Sequence, residues 1–402
     1  MNDLRQTWSQ SKIYRIILVI VVIYTVLRLL MQGVFLVGML FPEEPTDQTY
    51  PDDLRIYLDA ADHIKSRQDL YPQGKLDRME FYQYPPAFAL AFTPFLQMSP
   101  FAASILHTLL HIVAYILLYV WWRRIFERLG MGQTCKMLAW ALPIWLVFTA
   151  FWSDLGFLNV YIIMALLSTW LIEAILDENL GRSLLWLSII LQIKPQWAFA
   201  AAVPLLLGRY RFFAKLVSSA IVVYFAVAVV TILVVGPDYG WQQYTDYAQL
   251  LWNIRGGDYP WRGPDVPYLG YNHSITQTIV YMFGATPNAL TLATVVKLLI
   301  LLPLIITGLR YLRHPVRRAG HDMPQLSLDL AFVLYAGAFI WLDVVWEFSL
   351  GIAVFTYLLA TFRRRGIRLL IWFVFLLYAL IDLGNVMSFV IFGPDIVDPG
   401  PY

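Results

Sequence analysis

The residues best suited to chemistry follow the first long apolar stretch of the chain. They read Pro51-Asp52-Asp53-Leu54-Arg55-Ile56-Tyr57, then Leu70-Tyr71, then Phe81-Tyr82-Gln83-Tyr84-Pro85-Pro86. At about 100° per residue, Asp53 to Ser66 reads as an amphipathic helix with Ile56, Tyr57, Ala60, Ala61 and Ile64 on one face. Arg55, Asp59, Asp62 and His63 fall on the other face. Asp53 projects onto the apolar side and Asp52 onto the polar one. A helix of this kind lies flat on a membrane surface, which turns the Asp53 carboxylate toward protein and lipid. Two readings stand side by side: Asp53 as a carboxylate turned inward, or Asp52 or Asp53 as simply the N-cap of the helix, a position that favours Asp.

A second chemical feature is Lys194-Pro195, which interrupts an apolar run from Leu184 to Leu207 and leaves two half-length helices with a cation at their junction. A charge at membrane depth is costly and pairs with a counter-charge or lines a substrate path. An anion such as phosphate is the natural partner. Farther along, residues 236–274 carry Trp241, Tyr244, Tyr247, Trp252, Tyr259, Trp261, Tyr268 and Tyr271 around Arg255, Arg262 and Asn272-His273-Ser274. Aromatic belts at the headgroup level account for part of this density. Rings beside guanidinium groups also suit stacking on sugar faces and gripping a phosphate. Asp343 and Glu347 flank Trp346 at the outer end of a span, one helical turn apart and so on one face. His107 and His111 share a helical face inside an apolar span with no third ligand, a poor metal site.

The elements that must hold these residues are membrane spans. The chain has 402 residues, is 59% hydrophobic and 16% aromatic, and has only 14% charged residues; its mean hydropathy is +0.61. That composition belongs to integral membrane proteins and excludes soluble enzymes. A span needs roughly 20 apolar residues, and the pattern predicts about eleven of them in one all-α, polytopic membrane domain over residues 1–402. Basic clusters at Arg5 to Arg15, Arg123 to Lys136, Arg209 to Lys215, Arg310 to Arg318 and Arg363 to Arg368 belong on the cytoplasmic side. The N-terminus is then cytoplasmic, and the two long loops, residues 41–85 and 236–274, are extracytoplasmic and carry short amphipathic helices. Asp177 to Arg182 is a cytoplasmic turn that is nonetheless net acidic. Residues 87–96, between Pro85-Pro86 and Pro100, are too few to span and predict a re-entrant element, since non-helical backbone at membrane depth needs cover from protein or a water-filled cavity. Cys135 is the single cysteine, so packing must hold the outer loops.

Asp53-Leu-Arg-Ile-Tyr57, Leu70-Tyr71 and Phe81-Tyr-Gln-Tyr-Pro-Pro86 together resemble the opening signature of glycosyltransferase family 87, polytopic enzymes of the GT-C superfamily. Leu155-Gly156 with Asn159, Ile193-Lys194-Pro195 with Arg209-Tyr-Arg211, and Asn272-His273-Ser274 follow in the family's order. The chain departs from the pattern at Gly156-Phe157-Leu158, where a Gly-Gln pair usually precedes the asparagine, and at Trp346-Glu347, where the family tends to carry histidine. The resemblance implies a GT-C-like helical bundle. It also implies inverting transfer of mannose or arabinofuranose from a polyprenyl-phosphate sugar to a glycan or glycolipid hydroxyl on the outer face of the plasma (inner) membrane. The family's first-loop aspartate, taken as the catalytic base, maps onto Asp53. The expected donor-phosphate ligands are Lys194, Arg255, Arg262 and His273. The expected substrate contacts are Tyr57, Tyr82, Tyr84, Asn159, Asn272, Trp346 and Glu347. No cofactor, metal or nucleic acid is expected; membrane lipid is. The rival reading is a secondary transporter or lipid-linked-sugar flippase, for which a broken helix with a membrane-depth lysine is equally apt. Transporters of that kind commonly show two similar halves, which this chain lacks.

Overall fold

A computed structural model describes residues 2–38, 52–72, 82–256, 274–284, 286–313, 323–343, 345 and 348–393. Every regular element among them is helical. Five helices are long and apolar enough to cross a membrane, or up to seven if each of two bent pairs is one span. The shorter apolar helices Tyr161–Leu176, Leu180–Ile193 and Gly351–Thr361 accompany them. The protein is therefore a polytopic helical membrane protein. These shorter helices stop near charged residues or proline: Tyr161–Leu176 before Asp177, Leu180–Ile193 before Lys194-Pro195, and Gly351–Thr361 just short of Arg363.

The chain forms two compact units, each assembled from discontinuous stretches. The first comprises Met1–Arg55, Met98–Leu166 and Phe348–Tyr402. Its first long helix, Lys12–Gly38, inverts the pattern of a soluble helix: Tyr24, Arg28, Gln32 and Leu36, spaced by four, are buried, while apolar side chains such as Ile20, Ile23, Leu27 and Val34 face outward. An outward apolar surface suits lipid, and polar groups inside the bilayer must meet one another. Arg28 pairs with Asp382 at 3.0 Å, and the Tyr24 hydroxyl donates to the same carboxylate. Thr149 completes the cluster, accepting from the Asp382 N–H at 3.0 Å and donating to the Ala379 carbonyl at 3.1 Å. The helix Pro100–Arg128 starts on a Ser99 cap with proline in its first position, a combination that satisfies an early N–H and pre-sets φ. The helices Gly132–Trp140 and Leu142–Phe157 form one of the bent pairs, with a 50° bend. Pro143, at the start of the second arm, cannot donate the hydrogen bond that would continue the first.

The second unit comprises Ile56–Gln97 and Leu167–Glu347. After Pro85-Pro86 the chain makes a short helix, Pro86–Phe92, and a 3-10 turn, Thr93–Gln97, in keeping with the non-spanning element expected there. The helix Leu180–Ile193 stops where the sequence dictates. A residue before proline is pushed out of the α region, and Lys194 is extended at φ −134°, ψ 92°. Pro195–Ala202 continues as a 3-10 helix and Val203–Leu206 as one α turn. The acidic turn at 177–182 is neutralised locally. Arg182 binds Glu173 at 2.8 Å and Asp177 at 3.2 Å, and Arg209 reaches Glu178 at 2.8 Å.

The helices Tyr210–Val235 and Pro237–Gly256 join through Gly236 at φ 109°, a conformation that favours glycine. At Gly240 a Cβ would stand 2.7 Å from the Ile232 Cα, so only glycine permits the two helices to approach this closely. Residues 68–70 are tied to the second of these helices by polar contacts as well as by packing. Buried Gln243 accepts from the Leu70 N–H at 2.8 Å and donates to Asp69 at 3.3 Å, and the Tyr239 hydroxyl donates to the Gln68 carbonyl at 2.6 Å.

Candidate active site

In the first unit the site is built around Asp53. The helix there begins at Asp52 and runs to Ser66, so Asp53 occupies its second position, where the helix dipole favours a negative charge. The Asn159 side-chain amide donates to Asp53 Oδ2 at 2.8 Å. Asn159 is itself buried and follows Leu158, whose left-handed backbone (φ 52°) ends the helix Thr149–Phe157. Asn159 Oδ1 accepts from the Val160 N–H at 2.7 Å, which fixes the direction of the amide.

The turn holding Asn159 rests on a buried contact between His111 and Asp154. Asp154 accepts from the N–H groups of Tyr161 at 3.0 Å and Ile162 at 2.9 Å, capping the next helix, Tyr161–Leu176. His111 Nε2 stands 3.3 Å from Asp154 Oδ2 and meets the Asn159 carbonyl, and its Nδ1 meets the His107 carbonyl at 2.7 Å. The ring thus bridges Asp154 and the backbone of the turn, with an oxygen acceptor at each nitrogen. Neither His111 nor Asp154 has any side-chain exposure.

The second unit carries a cluster of its own, built around Lys194, which is 6% exposed and lines a cavity of about 330 Å³. Gln83, Tyr84, Gln196, Tyr247 and Asp343 line it too. Lys194 Nζ stands 4.9 Å from the centre of the Tyr84 ring, a cation–π distance. Tyr84 is held from behind: its hydroxyl meets that of Tyr57 at 2.8 Å, its ring stacks on Phe88 at 4.8 Å, and its carbonyl accepts from the Tyr71 hydroxyl. The Tyr82 hydroxyl donates to the Pro85 carbonyl at 3.0 Å. Burial holds the phenols of Tyr71 and Tyr82 well above the usual tyrosine range, so both remain donors. Tyr57 and Tyr82 are thus buried supports of the Tyr-Pro-Pro segment, and of the three tyrosines only Tyr84 lines the cavity.

At the cavity's other edge Asp343 Oδ1 accepts from Lys297 Nζ at 2.7 Å and from the Thr276 hydroxyl at 2.6 Å. Lys297 also donates to the carbonyls of Trp341 at 2.9 Å and Leu342 at 3.4 Å. The helix Met323–Trp341 ends before Asp343, so the helical face expected to join Asp343 to Glu347 is absent at Asp343.

The helix Asp52–Ser66 corrects a second expectation. Leu54, Tyr57, Leu58, Ala60, Ala61 and Ile64 are buried inside the protein, so this face packs on protein and does not rest on lipid. Leu54 takes the place expected for Ile56, which is half-buried. Arg262, Asn272, His273, Trp346 and Glu347 lie outside the described residues, as does the side chain of Arg255. Ser274, next to two of them, caps the helix Ile275–Phe283 by accepting from the Gln277 N–H.

Residues 82–323 match the family model of glycosyltransferase family 87. The chain belongs to that family. It is an integral membrane glycosyltransferase, acting on a sugar donor and an acceptor. No curated protein and no solved structure matches it. Tyr84, Asn159, Lys194 and Lys297 fall inside the matched span of the glycosyltransferase; Asp53 precedes it and Asp343 follows it. Asp53 is therefore linked to the family core through its hydrogen bond to Asn159.

Three groups here are not evident as site residues from the sequence pattern. His111 reads there only as half of a poor metal pair. Asp154 and Lys297 are each a lone charge in an apolar stretch, which is by itself a signal at membrane depth.

Proposed function

We propose that this glycosyltransferase moves a sugar, mannose or arabinofuranose, from a polyprenyl-phosphate donor to a hydroxyl of a glycan or glycolipid, with inversion at the anomeric carbon. The observation that carries the reading is Lys194, a buried ammonium in a proline-broken helix that lines a cavity with Tyr84. A cation so placed suits a phosphate, and an adjoining ring suits a sugar face. The whole chain, residues 1–402, acts as one membrane enzyme of about eleven spans. Its N-terminus is cytoplasmic and its active site lies on the outer face of the plasma membrane, as the basic clusters suggest.

In the chemical step Asp53 takes the proton of the acceptor hydroxyl. The oxygen attacks the anomeric carbon, and the bond from that carbon to the phosphate oxygen breaks. Polyprenyl phosphate leaves with the electron pair. A phosphate is already a good leaving group, so no general acid is required. The negative charge growing on it is met by Lys194, with Arg255, Arg262 and His273 as further cations. Tyr84 and Asn272 contact substrate, together with Trp346 and Glu347, while Tyr57 and Tyr82 act through Tyr84. Membership of a glycosyltransferase family argues against the transporter and flippase reading.

The test is transfer by the purified protein in lipid nanodiscs, offered radiolabelled polyprenyl-phosphate mannose, polyprenyl-phosphate arabinofuranose or a nucleotide sugar with a membrane lipid extract as acceptor. Labelled product from a polyprenyl-phosphate sugar, with inverted anomeric configuration, is expected. Product from the nucleotide sugar alone would overturn the donor class.

A further inference from the structure

We propose that Asn159 is a positioning residue: it sets the orientation of the Asp53 carboxylate, and the buried His111–Asp154 pair holds it in place. This rests on the reading of Asp53 as the general base.

The direction of the Asn159 amide is decided by its other end. Oδ1 faces the Val160 N–H at 2.7 Å, so the group facing Asp53 Oδ2 at 2.8 Å is the NH₂. A carboxylate on the first turn of a helix can rotate about its side-chain bonds, and a fixed donor restricts that rotation.

The support behind Asn159 is unusually complete for backbone at a turn. Leu158 stands in the left-handed region, a conformation that is costly for a branched apolar side chain and persists only where its surroundings impose it. Here they do: the Asn159 carbonyl accepts from the His111 ring, and Asp154 grips the two N–H groups just beyond. Burying a polar pair such as His111 and Asp154 costs desolvation, and a plain apolar contact would stabilise the turn as well. What the pair adds is direction, since each partner bonds a different part of the backbone around one asparagine.

Transfer by the full-length protein in nanodiscs, measured against pH and donor concentration, tests this. Asn159→Ala should lower kcat roughly tenfold or more with the KM for the donor unchanged, because the misplaced group acts only as the hydroxyl is deprotonated. Asn159→Asp places two carboxylates within hydrogen-bond distance, so the acid limb of kcat/KM should move up by about one pH unit or more. A purely structural role would reduce the folded fraction and leave that limb in place. His111→Gln should give the kcat loss of Asn159→Ala without the shifted limb.

The exchange Asp53→Asn with Asn159→Asp restores a donor–acceptor pair but moves the carboxylate. It should recover the thermal stability of the parent and remain inactive. Parent-like kcat in Asn159→Ala, or an unmoved acid limb in Asn159→Asp, overturns the positioning role while Asp53 stays the base. Activity in Asp53→Asn instead overturns the base assignment.

Discussion

Arg28, in the middle of the first long helix, and Asp382, at the start of the helix Ile381–Phe392, meet at 3.0 Å with 7% and 2% of their side chains exposed. A pair so deep in an apolar setting holds the two ends of the chain together within the first unit. Its effect on stability is asymmetric. Removing one partner strands the other as a buried charge, which costs about 3–5 kcal/mol, whereas replacing both with apolar residues of similar size is often neutral. Thermal unfolding in detergent should show a large loss for Arg28→Met and for Asp382→Leu, and a smaller loss for the two together. Equal or additive losses would show that the pair does not act as one.

Lys194 offers a test of the donor site. Lys194→Ala should weaken donor binding by about 2 kcal/mol, in the range of a hydrogen bond to a charged group. Lys194→Arg should keep part of that binding, because the charge survives with a different shape. Donor titration by tryptophan fluorescence, alongside KM for the donor, measures both. Unchanged binding in Lys194→Ala would place the phosphate elsewhere.

The orientation of the chain is testable without substrate. Ala248, exposed on the helix Pro237–Gly256, and Gln325, exposed near the start of the helix Met323–Trp341, belong to opposite sides of the membrane if basic residues stay inside. In a background with Cys135 changed to Ser, Ala248→Cys should react with an impermeant thiol reagent added to intact cells, and Gln325→Cys should react only after permeabilisation. The reverse labelling would invert the topology and move the active site to the cytoplasm.

What could be read from the sequence was what local chemistry imposes. Lys194-Pro195 had to break a helix, Pro85-Pro86 had to start a short one, and the amphipathic period of residues 53–66 had to give a helix with one buried face. Pairings across the sequence were not legible, since nothing local selects one distant partner. Asn159 finds Asp53 across 106 positions, Arg28 finds Asp382 across 354, and Lys297 finds Asp343 across 46. The same limit applies where the structure differs from the local pattern. Helical spacing joins Asp343 to Glu347 only while a helix continues, and this one ends at Trp341, where Lys297 meets the carbonyls of Trp341 and Leu342. An amphipathic face says only that something apolar covers it, and for the helix at Asp52–Ser66 that cover is protein.

The reading of Asp53 as general base makes the most specific demand on the molecule. Asparagine in its place keeps the size of the side chain, can still accept from Asn159, and serves an early helix position nearly as well. The loss of charge from the first turn should lower stability by only about 0.3–1 kcal/mol. It cannot take a proton, however, and a positioned base contributes roughly 10²–10⁴-fold to rate. Asp53→Asn should therefore remain folded, bind the donor, and transfer sugar at least about a hundredfold more slowly than the parent. Asp59→Asn and Asp62→Asn, on the exposed side of the same helix, should stay within a few-fold of it. Transfer assays on the purified variants, with donor binding measured on the same samples, separate the two roles. If Asp53→Asn transfers sugar at the parent rate, the carboxylate is a helix-start residue and the proton goes elsewhere.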